Sequence, residues 1–157
     1  MSQIATLISE VKRYALVQPE EADGLVIHCS DPRFQAAFRE FVTSDLGLQH
    51  PIPIVVPGGV HDLVSPARLK AARNLWEQVE FMVKKGHVHR IILINHEDCQ
   101  WYAKWNTLVQ TTVGQDISGH LLALAEKLAE KKLGVEVECY LAKLEGDAIT
   151  FHRVDRD

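Results

Sequence analysis

Arg90-Ile91-Ile92-Leu93-Ile94-Asn95-His96 is the stretch from which the fold is read. Its unbroken aliphatic run leaves no polar face, so a strand here must be covered on both sides. That is the condition of a strand inside a parallel sheet with helices on either face. Leu25-Val26-Ile27-His28 has the same character and ends at Cys29, and Ile52 to Val56 is a third run, stopped by Pro57-Gly58-Gly59. Helical signals lie between these runs. Asp31-Pro32 opens a helix with Phe34, Ala37, Phe38 and Phe41 on one face, proline being well placed in the first helical position. Ser65-Pro66 starts another, with Leu69, Ala72, Trp76, Val79 and Val83 on one stripe and Gly86 as its stop.

Beyond His96, a short helix is predicted over Gln100 to Val109, carrying Trp101, Tyr102 and Trp105. Asp116 starts an amphipathic helix through Ile117, Leu121, Leu124 and Leu128 that ends at Gly134. Val135 to Leu144 reads as a fourth strand, and Glu145-Gly146-Asp147 as a hairpin turn into a last, antiparallel strand, Ala148 to Val154. At the other end, Ser2 can cap a helix to Leu16, with Ile4, Leu7, Ile8, Val11 and Ala15 at helical spacing. No repeat or linker interrupts the chain. The reading is an α/β protein, residues 1–157 as a single domain, with a mostly parallel sheet flanked by helices and a C-terminal antiparallel strand.

The 157 residues are 46% hydrophobic and 24% charged, the composition of an ordinary globular protein with a proper core. A net charge of -4 weighs against nucleic acid or an anionic membrane as partner, since both attract basic surfaces. No run approaches the ~20 apolar residues that span a bilayer. The N-terminus lacks a basic stretch followed by an apolar one, so a cytoplasmic location is the default expectation. Three cysteines close no disulfide framework, which leaves buried thiol, reactive thiolate or metal ligand as their roles.

In parallel sheets, ligands bind beyond the carboxyl ends of the strands. Cys29, Gly58-Gly59 and His96–Cys99 each follow a different strand, so they are expected along one edge. His96-Glu97-Asp98-Cys99 offers imidazole and thiol from one turn, and these are ligands zinc prefers. Cys29 adds a second sulfur, and its position between strand end and helix start favours the thiolate. Three protein ligands leave a fourth position for water.

Cys29-Ser30-Asp31-Pro32-Arg33 together with His96-Glu97-Asp98-Cys99 resembles the β-class carbonic anhydrases, which carry a C-x-D-x-R motif and a downstream H-x-x-C in the same order. The resemblance covers roughly Leu25 to Leu144. It implies a zinc ion held by Cys29, His96 and Cys99, and reversible hydration of carbon dioxide to bicarbonate. It further implies that Asp31 orients the activated water and that Arg33 keeps Asp31 ionised and clear of the metal. A homodimer or higher homo-oligomer is implied as well, with the helix at residues 1–16 as its arm.

Two segments depart from the family pattern. Val56-Pro57-Gly58-Gly59-Val60 replaces a segment like R-N-x-A-N, and Gln100-Trp101 follows the last cysteine where glycine is usual. The altered wall leaves room for two further readings: a zinc hydrolase of carbonyl sulfide or carbon disulfide, and a non-catalytic zinc-binding homologue. A thiol enzyme using Cys29 as nucleophile is a fourth reading.

Plainer roles stand beside these. Asp31 before Pro32 is a standard helix cap. Cys139 reads as a small buried residue, and His28 points away from Cys29 by strand alternation. His61 with Asp62 either relays protons or faces solvent. Gly58-Gly59 either brings backbone close to the pocket or simply turns the chain. Trp101, Tyr102 and Trp105 line the pocket mouth or a subunit contact, or belong to the core. His50, His87, His89, His120 and His152 are expected at the surface.

Overall fold

The computed structural model describes residues 10–105 and 118–154, with backbone only for 118–120. Five strands form one sheet in the order β2-β1-β3-β4-β5. They are β1 (Leu25–His28), β2 (Ile52–Val55), β3 (Arg90–His96), β4 (Glu136–Glu145) and β5 (Ala148–Arg153). The first four run parallel and β5 pairs antiparallel with β4, as the sequence predicts.

β3 is central because its side chains are apolar on both faces. Ile91 and Leu93 join Leu25 and Ile27 in one core layer, where Leu75, Trp76, Val79 and Val83 of α3 (Leu69–Lys85) meet Leu122 and Ala125 of α5 (Ser118–Leu133). Ile92 and Ile94 join Val26 in the other, under Phe34, Val42 and Phe38 of α1 (Gln35–Glu40). The two layers follow from the two-residue period of a strand. Each fully buried aliphatic side chain contributes about 1.5–3 kcal/mol, so the core rests chiefly on β3 and its neighbours.

Several local features differ from the sequence reading. A short helix, α2 (His61–Val64), precedes a 3-10 turn at Pro66–Arg68, and only then does α3 begin, leaving Leu69 exposed. In α5 the buried stripe is Leu122, Ala125 and Ala129, whereas Leu124 is exposed. Alanines let the helix lie close against the sheet, which an apolar count centred on leucines does not register. Of α4, residues 100–105 are described, and the expected continuation to Val109 lies outside the described residues, as does the start at Asp116.

The expected helix over Ser2–Leu16 is described only from Glu10 onward, and there it is not helical. Of the expected stripe, Val11 and Ala15 are described and both are exposed, Val11 at 97%, so they pack against nothing among the described residues. A short helix without a partner surface is marginal in water. Among the described residues no helix is long and apolar enough to cross a membrane.

Candidate metal centre

Cys29 is the first residue beyond β1. The loop that carries it is fixed to β2 on both sides: the Val56 N–H donates to His28 O at 3.2 Å, and the Ser30 N–H to Val56 O at 3.2 Å. His28 turns to the opposite face, against the Phe38 ring at 4.5 Å, as alternation requires. His96 is the last residue of β3, in register with Ala142 of β4, and its ring stacks on Phe34 at 4.2 Å.

The turn after His96 is locked to β4. The Glu97 N–H donates to Ala142 O at 2.9 Å, and the Glu97 carboxylate accepts the Leu144 N–H at 3.0 Å. Asp98 takes a left-handed conformation, φ 57°, unusual outside glycine, and the chain folds back sharply. Cys99 thereby comes to face Cys29, sulfur to sulfur at 3.9 Å.

One ligand atom from each of Cys29, His96 and Cys99 lies within 4.8 Å of the others, and all three residues are buried. His96 Nδ1 is 2.6 Å from Glu97 O, which assigns the ring proton to Nδ1 and leaves Nε2 with a lone pair. That Nε2 is buried without a hydrogen-bond partner. An orphaned imidazole nitrogen beside two sulfurs is a donor set that fits zinc.

The electrostatics agree with a ligand role. The Cys99 thiol hydrogen bond lowers the Cys29 pKa, helped by His96 and the Gly58 N–H, while burial opposes it. The Cys99 thiol is pushed up in turn by the neighbouring Cys29 sulfur and by burial. The sulfurs lie 3.9 Å apart, close enough for one thiol to donate to the other, and a cation could take that proton's place. Burial acts against a charged His96, but the Cys29 sulfur, the Glu97 carbonyl and Asp31 outweigh it and raise its pKa.

Asp31 and Arg33 sit at the mouth of this cluster. The Arg33 guanidinium grips both oxygens of Asp31, with Nη2 to Oδ2 at 2.8 Å and Nε at 3.2 Å from each oxygen. These bonds hold the Asp31 carboxyl below its ordinary pKa. Asp31 also accepts the Arg33 backbone N–H at 2.9 Å, so the helix-start role and the ion pair coexist in one side chain. Its Oδ2 is 3.9 Å from His96 Nε2. A cleft of about 630 Å³ opens over the two cysteines, lined also by Asp31, Arg33, Pro57, Trp101 and Lys104.

All five residues picked from the sequence therefore meet at one end of the sheet. The glycine pair joins them: the Gly58 N–H donates to Cys29 Sγ at 3.3 Å, so backbone does approach the cluster. Cys139 is buried elsewhere, its pKa raised by desolvation. His61 does not face solvent; it is 0% exposed, bonded to Asp62 at 2.8 Å and set edge-on to Tyr102. Tyr102 belongs to the core, Trp101 to the cleft wall, and Trp105 lies partly exposed on Arg68. His50, His87, His89 and His152 are exposed, and the His120 side chain lies outside the described residues.

Sequence reasoning missed Asp98, whose carboxylate is a second partner of Arg33 at 3.0 Å and ties the two ligand-bearing loops together. It also missed Glu97 as the anchor on β4. Both lie inside the quoted H-x-x-C motif, but their partners are remote in the chain.

The fold is that of the β-class carbonic anhydrases. A carbonic anhydrase from Streptococcus mutans matches with a TM-score of 0.57 at 12% identity, over 90% of this chain and 88% of that one. A carbonic anhydrase from Glaciozyma antarctica matches with a TM-score of 0.55 at 12% identity, over 87% and 85%. At such identity the likeness establishes architecture alone. No protein-family model matches the sequence, and no curated protein does.

Proposed function

We propose that this protein is a zinc enzyme that reversibly hydrates carbon dioxide, with Cys29, His96 and Cys99 as the metal ligands and Asp31 and Arg33 as the catalytic pair. The observation that carries the reading is the buried convergence of two sulfurs and the partnerless His96 Nε2 within 4.8 Å, on this fold and beneath an open cleft. Bound there, zinc would supply Lewis-acid activation of water.

The chain's own groups divide the remaining work. The Nδ1 proton on the Glu97 carbonyl fixes the His96 tautomer and aims Nε2 at the ligand position. Arg33 keeps Asp31 ionised, so its carboxylate can accept a hydrogen bond from the attacking water and orient it. Pro57 and Trp101 give the cleft an apolar wall suited to a small neutral molecule.

Metal analysis and stopped-flow hydration of the purified protein test this. Asp31→Asn should keep zinc and lose hydration by about a hundredfold or more. Cys99→Ser should lose the metal and the activity together. Undiminished hydration in Asp31→Asn would remove that residue from the chemistry, and a wild-type protein that takes up no zinc would end the reading.

The apolar wall also favours a second reading, hydrolysis of carbonyl sulfide or carbon disulfide at the same site. Parallel assays with all three molecules decide between them, and zinc without turnover of any would leave a non-catalytic zinc-binding homologue. The same reading takes residues 1–157 as one domain working as a homodimer or larger homo-oligomer on a small-molecule substrate. Its free thiols suit the reducing cytoplasm.

A further inference from the structure

Trp101 is held from three directions. Its indole Nε1 donates to Asp62 Oδ1 at 3.1 Å, and the Arg68 guanidinium lies over its ring at 4.9 Å. Its third contact is Gly58: a Cβ built there would come within 2.4 Å of Trp101 Cδ1, so ring and glycine backbone are in direct contact. Asp62 is the anchor of the arrangement. Its single oxygen Oδ1 meets His61 Nδ1 at 2.8 Å, Arg68 Nε at 3.0 Å and Trp101 Nε1 at 3.1 Å.

What Trp101 touches bears on both sulfurs. The Gly58 N–H beneath the ring donates to Cys29 Sγ. Trp101 is also the second residue after Cys99, so its seat bears on the turn that carries the other sulfur. The indole thus lies between the donor on Cys29 and the turn that carries Cys99, and it is fastened through Asp62 to α2.

We infer that Trp101, anchored by Asp62, is a positioning residue that sets how the Gly58 N–H meets Cys29 and how the turn carrying Cys99 is seated, and thereby the metal affinity and donor strength of the sulfurs. The inference rests on the proposed metal centre and adds to it the groups outside the ligand set that tune it. N–H donors on a thiolate withdraw electron density and fix its direction. Loss of such outer partners typically weakens metal binding about 10–100-fold.

Three variants test this. Trp101→Phe keeps a ring over Gly58 and removes the indole N–H. Asp62→Ala removes the anchor. Asp62→Asn keeps an oxygen that can take the place of Oδ1. Zinc affinity is read by chelator competition, and the sulfur-to-metal charge-transfer band is read in the cobalt(II)-loaded protein.

Trp101→Phe and Asp62→Ala should weaken zinc about 10–100-fold and shift the cobalt band, with Asp62→Asn recovering most of both. Unchanged affinity and an unmoved band in Trp101→Phe and Asp62→Ala would overturn the inference, even if the melting temperature fell, because that pattern is packing alone. Should Trp101→Phe fail to fold, the contrast between Asp62→Ala and Asp62→Asn decides on the same two readouts. Failure of the underlying metal centre looks different: wild-type protein would bind no zinc, or would bind it equally well after Cys99→Ser.

Discussion

Asp62 shows how much one side chain can do without belonging to any motif. Burial works against its ionisation, but the bonds from His61, Trp101 and Arg68 prevail and hold its carboxyl below the usual range. A depressed folded pKa means the stabilisation is complete above the unfolded value of about 3.9 and disappears as pH falls through the lower folded value. Urea unfolding of wild type and Asp62→Asn should therefore differ most near about pH 6 and converge below about pH 4. A gap that stays constant into acid would show that the charge of Asp62 contributes nothing. Asp31 and Arg33 were legible because they stand with Cys29 in one short stretch that resembles a family motif. Asp62 and Asp98 were not, since Trp101 is 39 residues from the first and Arg33 is 65 from the second.

Among elements, the turn between β2 and α2 carries the tightest constraint. Gly59 has φ 57°, and a Cβ there would meet Ile94 O at 3.1 Å and Cys29 N at 3.2 Å. Both are backbone atoms, one inside β3 and one directly after β1, and cannot retreat. Gly59→Ala should cost about 2–4 kcal/mol by chemical denaturation, combining left-handed strain with overpacking. Gly134, with φ 63° and nothing near its Cβ position, should cost only about 1 kcal/mol for the same change. Equal losses at the two sites would refute the packing argument. The strands were legible from their apolar runs, whereas helix faces were less so. Phe41–Asp45 continues α1 as a wide turn in which Leu46 N–H bonds Phe41 O at 3.0 Å, and no periodicity announces it. The N-terminal stripe has helical spacing, but spacing cannot say whether a surface exists to receive it.

At the scale of the whole molecule, β2 is an edge strand with Val55 exposed, and Phe81 of α3 is exposed too. The segment at residues 10–17 displays Val11, Tyr14, Leu16 and Val17. Apolar surface of this kind is expected to be covered in an assembly. Light scattering should give a mass of two or more chains, and deletion of residues 1–17 should lower it; a monomeric full-length protein would refute the proposed oligomer. Strand order was not read from the sequence. What was legible is that a parallel sheet collects its ligands at one rim, which is why three separated motifs could be placed together before any distance was known.

The opposite rim carries none of the three ligand candidates. The turns entering β3 and β4, around Gly86 and Gly134, lie a full strand length from Cys29, His96 and Cys99. A reporter peptide spliced in at Gly134, where nothing lies near the Cβ position, should therefore label the protein and leave those three side chains in place. The sheet acts as a spacer between the rim that carries these three side chains and a rim where the space around Gly134 admits change.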